Sequence, residues 1–162
     1  MKITGIMLVF LSSVFIGFNF SSRLKKRIHI LEDIKEFIVS IKIMIESQCL
    51  TVEELFTSLV NQKKLDNFFI PKETFLRPDY KRQIVAACKG NTYLKEEDKQ
   101  LFIQFINDLG ITYLDGQISI INGYMKQLDN NISKLKSEQE VKCRMYNSFG
   151  VLIGAFISMI LL

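Results

Sequence analysis

The sequence predicts an all-α protein, an antiparallel helical bundle in the cytosol flanked by N- and C-terminal transmembrane helices. Residues 3–22 and 145–162 carry no charged side chain. Long heptad-like patterns of apolar residues follow the first stretch and precede the second, and no segment shows a strand pattern of comparable quality. We therefore divide the chain into an N-terminal transmembrane helix at 1–22, a cytosolic helical bundle at 23–144 and a C-terminal transmembrane helix at 145–162.

The first uncharged stretch is long enough to cross a membrane. As a helix, residues 3–20 would extend about 27 Å, close to the hydrocarbon thickness of a bilayer. A cleaved signal peptide is the alternative, because Lys2 followed by an apolar core fits one. No small-x-small cleavage site follows, and four basic residues lie between positions 23 and 27. This pattern is typical of a retained anchor.

The second uncharged stretch, 145–162, follows Lys142 and Arg144. Its alternative interpretation is an apolar core helix, but a soluble helix of this length should show a polar face, and here there are only Asn147 and scattered serines. Both stretches have their basic flanks on the side of the middle segment. The positive-inside rule therefore predicts a cell-membrane protein with two crossings, a cytosolic central domain and both termini outside.

The composition excludes several classes of function. The middle segment contains 20 basic and 17 acidic residues, a balance of 20 − 17 = +3, which is too mild for a nucleic-acid-binding protein. The three cysteines, Cys49, Cys88 and Cys143, are widely spaced and fit neither a disulfide framework nor a metal site. No phosphate-binding loop or nucleophile motif is present. We therefore expect no enzyme activity, no cofactor and no metal.

Two polar features have a structural and a functional interpretation. His29, the single histidine, lies beside an apolar seam and is expected to be a helix-face residue rather than a general base or ligand. The acidic groups at 53–54 and 96–98 could bind a cation, but helix capping and the helix dipole are sufficient to explain them.

Two long helices form the predicted bundle. No glycine or proline lies between Gly17 and Thr51, so the first membrane helix is predicted to continue unbroken into the cytosol. Its apolar residues follow steps of three and four, which keeps them on one face. They are Leu24, Ile28, Leu31, Ile34, Ile38, Ile41 and Ile45. The last helix is predicted from about Asp115 and runs into the second membrane segment. Its heptad positions are Ile118, Ile121, Met125, Leu128, Ile132 and Leu135.

These two helices are predicted to pack antiparallel. If Arg23 lies opposite Cys143, the numbers of facing residues sum to 166, because both rods have the same rise per residue. That register pairs Leu31 with Leu135, Ile34 with Ile132, Ile38 with Leu128, Ile41 with Met125 and Ile45 with Ile121. Two apolar seams found independently therefore coincide.

Shorter helices are predicted between the long ones. Thr51 and Glu54 form the sequence pattern of a capping box, which starts the first of them. Two prolines make 61–78 irregular. Asp79 is predicted to cap the next short helix, which runs through Ala87. After it, acidic residues start a further helix that Gly110 ends.

Small residues recur in the two membrane segments. Ser13 and Gly17 in the first, and Gly150 and Gly154 in the second, are spaced by four, with Ser158 continuing the second series. This spacing allows helix backbones to approach closely in lipid. We therefore predict that these positions are sites of membrane helix packing.

The order of segments resembles the stage III sporulation protein AB family of spore-forming Firmicutes. An anchor with a Gly-Phe pair at its end is followed by a basic helix and, far along the chain, by a long helix with an apolar tail. The motif positions that carry the resemblance are Glu46, Thr51, Leu109, Gly110 and Gln117. Val52 differs, because the family often has proline after the threonine, and Tyr113 stands where an acidic residue is expected.

The resemblance implies a non-enzymatic membrane component of the channel complex between mother cell and forespore. The cytosolic bundle would be similar to the helical domains of the inner-membrane platform protein of type II secretion systems. The implied partners are other stage III sporulation proteins, including the secretion-type ATPase, stage III sporulation protein AA. A passive membrane-tethered helical scaffold unrelated to secretion is the alternative function.

Overall fold

The protein was analysed as a computed structural model. It describes the backbone of residues 2–48, 51–62, 65–66, 68–112 and 114–161, and within the two long helices it describes the side chains of residues 22–47, 115–141, 145, 148, 152, 156 and 159. Cys49 and Tyr113, and the side chain of Cys143, lie outside these residues.

The described residues form helices and no strand, as the sequence predicts. The α-helices are α1 (Lys2–Gln48), α2 (Val52–Asn61), α3 (Tyr80–Gly90), α4 (Glu96–Asp108) and α5 (Leu114–Leu161), with a 3₁₀ helix at Lys72–Leu76 between α2 and α3. The long helices α1 and α5 are continuous. This agrees with the lack of glycine and proline between Gly17 and Thr51 and with the predicted start near Asp115.

The chain divides into two compact units. Unit 1 consists of Met1–Ile28 and Ser133–Leu162, and unit 2 is His29–Ile132. Both long helices contribute to both units, whereas α2, α3, α4 and the 3₁₀ helix belong to unit 2. Within the side chains that the structure describes, no helix contains an apolar run long enough to cross a membrane.

In unit 2, the predicted apolar seams of the long helices are buried. The buried seam residues are Leu31, Ile34, Ile38, Ile41 and Ile45 on α1 and Ile121, Leu128 and Ile132 on α5. Ile118 and Met125 are half-buried. An ion pair between Lys35 of α1 and Asp129 of α5 joins the two helices. The numbers of these two facing residues sum to 35 + 129 = 164. This sum is close to the predicted 166, and the residue-by-residue pairing of the two seams stays a prediction.

The short helices are held by an aromatic cluster centred on Phe37. The centroids of five other phenylalanine rings lie 5.1 to 6.5 Å from that of Phe37, within the range of favourable ring contacts. They are Phe56 of α2, Phe68, Phe75 of the 3₁₀ helix, and Phe102 and Phe105 of α4. Tyr80 at the start of α3 packs edge-on against Phe56 at 5.0 Å. The cluster therefore connects α1 to the short helices of unit 2.

The limits of α3 differ from the prediction. The helix runs to Gly90, beyond the predicted Ala87. Asp79 occupies the N-cap position, but its carboxylate does not cap the backbone. Instead both carboxylate oxygens accept hydrogen bonds from the Gln83 side chain at 2.9 Å. An i,i+4 amide partner on the same helix face competes for the acceptor that the cap would need.

Candidate functional site

Three of the motif positions lie close together at the turn between α4 and α5. Leu109 is buried and ends α4, and Gly110 follows with φ 85°. This left-handed conformation favours glycine, because a Cβ would clash with the backbone. A Cβ on Gly110 would also lie 2.8 Å from Cγ2 of Val52. The turn therefore requires glycine for its backbone conformation and for the close approach of α2.

Gln117, near the start of α5, stabilises the turn through hydrogen bonds of its side chain. Its side chain is almost completely buried, with 4% exposed. The Gly110 N–H donates to Gln117 Oε1 at 3.0 Å, and Gln117 Nε2 donates to the Asp108 carbonyl at 3.5 Å. One buried amide thus accepts from the Gly110 N–H and donates a second hydrogen bond to the Asp108 carbonyl, which also accepts from the Ile111 N–H at 3.4 Å. Gln117 of α5 is therefore brought together with Leu109 and Gly110, which follow the end of α4.

Tyr124 forms a second connection across the same turn. Its hydroxyl donates to Asp108 Oδ2 at 2.6 Å, and its ring packs edge-on against Phe105 at 5.6 Å. Burial, together with the hydrogen bond and the charge of Asp108, raises the pKa of Tyr124 to about 12. The hydroxyl therefore keeps its proton, and its role as a donor, to a higher pH than an unperturbed tyrosine would.

The start of α2 lies against this turn through Val52. Its N-cap, Thr51, forms the predicted capping box. Glu54 N–H donates to Thr51 Oγ1 at 3.4 Å, and Thr51 N–H donates to Glu54 Oε2 at 2.9 Å. The hydrogen bonds from the Thr51 backbone and side chain lower the pKa of Glu54. The cap fixes the position from which Val52 contacts Gly110.

The comparison with protein families assigns the chain. The sequence model of the family described as stage III sporulation protein AB matches residues 2–162. The chain belongs to the stage III sporulation protein AB family. No curated protein sequence and no solved structure gives a significant match. This family is a sporulation protein family and not a known enzyme family.

The remaining motif position, Glu46, belongs to α1 and pairs with a residue of the same helix. It is exposed on α1, and its carboxylate lies 3.7 Å from Lys42 Nζ, one turn earlier. The membrane-segment positions Ser13 and Gly17 lie in α1, and Gly150 and Gly154 lie in α5. How these four pack lies outside the described residues, so their role stays a prediction.

The polar residues that the sequence suggests as possible metal ligands or general bases lie at helix starts or on a helix face. Within the described residues, no group of three or more His, Cys, Asp or Glu side chains could hold a metal ion. Asp98 is buried and accepts a hydrogen bond from the Lys95 N–H at 3.2 Å, at the start of α4. His29 is exposed on α1, with Nδ1 3.9 Å from the Asp33 carboxylate.

Sequence reasoning missed Asp108 and Tyr124. A signal for Tyr124 was present, because it lies seven residues after Gln117 and therefore on the same face of α5. Asp108 gave no comparable signal, since a carboxylate at the end of a helix opposes the helix dipole and is usually solvated. Its partner becomes apparent only when α4 and α5 are brought together by the turn.

Proposed function

We propose that this member of the stage III sporulation protein AB family is a non-enzymatic, two-pass membrane subunit of the channel complex between mother cell and forespore. In this role it acts as an assembly subunit similar to a secretion platform. One observation carries the proposal. The two uncharged segments, at opposite ends of the chain, both belong to unit 1, which agrees with two crossings of one membrane.

Exposed side chains near the end of α5 support a membrane environment. Leu152, Phe156 and Met159 have 63%, 69% and 83% of their surface exposed. Steps of four and three place them on one helix face. A contiguous apolar surface of this kind marks contact with lipid or with another protein. Lipid contact accounts for these residues and for the uncharged sequence around them.

Unit 2, His29–Ile132, would then be the main part of the cytosolic bundle and the part that meets other proteins. Residues 23–144 form the proposed cytosolic bundle, and membrane helices at 1–22 and 145–162 flank it. We place the protein on the mother-cell side of the engulfment membranes. The core of unit 2 is filled by aliphatic seams and the Phe37 cluster, and its buried amide Gln117 stabilises a turn. We infer that unit 2 offers a rigid surface for partners, including the secretion-type ATPase, stage III sporulation protein AA.

The small residues of α5 provide a test that separates an assembly subunit from a passive tether. Changing Gly150 and Gly154 to Leu together should keep neighbouring membrane helices apart, because close approach at small residues supplies the contacts in lipid. Insertion should be retained, since Leu is more apolar than Gly. The matched control is Ser148→Leu with Ala155→Leu, two similar enlargements more than a quarter of the helix circumference away at about 100° per residue.

Sporulation efficiency and the membrane proteins that co-purify should be measured for both double variants. An assembly subunit predicts loss of partners and of sporulation in the glycine variant and retention of both in the control. Full sporulation with unchanged partners in the glycine variant would favour the passive tether. Equal loss in both variants would show that bulk, rather than the small-residue stripe, causes the defect.

A further inference from the structure

The two units carry opposite net charge. Unit 1 contains nine Lys and Arg and two Glu, so its charge is 9 − 2 = +7. Unit 2 contains 12 Lys and Arg and 15 Asp and Glu, so its charge is 12 − 15 = −3. The excess positive charge of the chain, +4 overall, is therefore concentrated in the unit that contains both uncharged segments.

Three of the four basic residues next to the first uncharged segment are exposed, and the fourth, Arg27, is buried. Arg23, Lys25 and Lys26 are exposed, whereas Ile28 is buried. At about 100° per residue, the three exposed positions spread over about 160° of α1, on the side away from Ile28. Such a wide arc fits many small anionic groups around a helix better than a single flat protein surface.

These three charges also lie at nearly one depth. Residues 23–26 advance about 4.5 Å along the helix axis, which is less than the Debye length of about 8 to 10 Å at physiological salt. Lys134 and Lys136 are exposed as well, but they lie about 13 to 17 Å along α5 from residue 145. Screening makes their contribution at the bilayer surface smaller.

We propose that Arg23, Lys25 and Lys26 form a binding surface for the anionic headgroups of membrane phospholipids. The inference rests on the proposed function, because that function places residues 3–22 in the bilayer and these residues at its cytosolic surface. Each Lys or Arg close to an anionic bilayer surface raises the affinity about fivefold. The surface would hold α1 at a fixed depth and give unit 1 a preference for anionic lipid.

The test uses the full-length chain reconstituted in phosphatidylcholine vesicles that contain phosphatidylglycerol. Trace spin-labelled phosphatidylglycerol or phosphatidylcholine reports which lipid associates with the protein. The variant is Arg23→Gln, Lys25→Gln and Lys26→Gln together. Its matched control is Arg77→Gln, Arg82→Gln and Lys89→Gln together, which removes three exposed positive charges from unit 2.

The wild type and the control variant should prefer phosphatidylglycerol by about threefold or more, and the preference should fall as salt rises. The variant at positions 23, 25 and 26 should prefer phosphatidylglycerol clearly less than the control does, because only Arg27, Lys142 and Arg144 remain beside the two uncharged segments on the proposed cytosolic side. An unchanged preference would overturn the headgroup surface. Equal association of both lipids with the wild type, or equal loss of preference in both variants, would overturn the headgroup surface while the proposed anchoring stands.

Alkaline extraction from pure phosphatidylcholine vesicles tests the anchoring separately. Resistance to extraction supports the two crossings, and release would overturn them. If the protein is released but still floats with phosphatidylglycerol vesicles through these three residues, the headgroup surface stands without the anchor. Release combined with no binding to anionic vesicles would overturn both.

Discussion

Unit 1 and unit 2 share the helices α1 and α5 but give them different surroundings. In unit 2, both helices bury an aliphatic face, and α1 also contacts α2, α4 and the 3₁₀ helix through Phe37. In unit 1, the described side chains Leu152, Phe156 and Met159 of α5 are apolar and exposed. The net charges of the two units also differ in sign, positive in unit 1 and negative in unit 2. Under the proposed function, one continuous helix would pack in a protein core along one part and contact lipid along another.

The largest effect that would test this contrast is expected at Phe37, where the core of unit 2 converges. Replacing Phe37 with Ala should lower the free energy of unfolding by about 3 to 5 kcal/mol, because it removes a buried ring and leaves a cavity. Phe69→Ala is the control, since Phe69 is a half-buried ring at the edge of the cluster. Denaturant unfolding of the full-length chain in detergent measures both. Equal losses would show that Phe37 is not the centre of the core.

The seam between the long helices is the next largest contribution. Truncating Ile38 or Leu128 to Ala should cost about 2 to 5 kcal/mol each. If the two side chains pack together, the double variant should cost measurably less or more than the sum of the single ones. Ile43→Ala serves as the control because Ile43 is 53% exposed, so its cost should stay within about 0.5 kcal/mol. Strict additivity of the seam pair would contradict the predicted register.

The turn at Gly110 should have a smaller effect with two separable causes. Gly110→Ala should destabilise unit 2 by about 1 to 3 kcal/mol, because the left-handed backbone strains an L side chain and the new Cβ meets Val52. Adding Val52→Ala should relieve the contact and leave the backbone strain. Thermal unfolding separates the two causes when the cost of Gly110→Ala is measured in the wild type and in the Val52→Ala variant. An identical cost in both backgrounds would exclude the contact as a cause.

The smallest predicted effect concerns pH. The pKa of Tyr124 is raised from 10.0 to about 12 in the folded protein, so the folded state holds this proton more tightly than the unfolded state. The stability that this difference contributes is fully present below pH 10 and is lost as pH rises toward 12. In Tyr124→Phe, which keeps the ring, the Tm should fall less steeply over that range. Parallel curves would mean that other groups cause the alkaline loss.

These features differ in how far the sequence predicted them. Periodic patterns predicted the long helices and the buried seams, and a local capping pattern predicted the Thr51 capping box. Both kinds of pattern depend on neighbours within one or two turns. Phe37 was not predicted as a centre, because a heptad pattern identifies one face of α1 and Phe37 lies beside it. The rings at 68–75 lie in a segment without periodicity. Their partners are set by contacts that are distant in sequence.

The candidate site shows the same division. Gly110 was predicted as the end of α4, and Thr51 as the start of α2, from local rules of helix capping. The contact of Val52 with Gly110 and the hydrogen bond between Tyr124 and Asp108 depend on how three helices meet. Asp79 shows the limit of the local rules, because its expected capping bond is replaced by Gln83.

Cysteine labelling in intact cells tests most directly the central claim that one cytosolic domain lies between two membrane crossings. Lys2→Cys, Leu162→Cys and Asn122→Cys would be introduced singly after Cys49 and Cys143 are changed to Ser. Cys88 can remain, because it is buried and its thiol pKa is raised to about 11 by burial. A membrane-impermeant maleimide should label positions 2 and 162 in intact cells and position 122 only after permeabilisation. Labelling of position 122 in intact cells, or of the termini only after permeabilisation, would contradict the account.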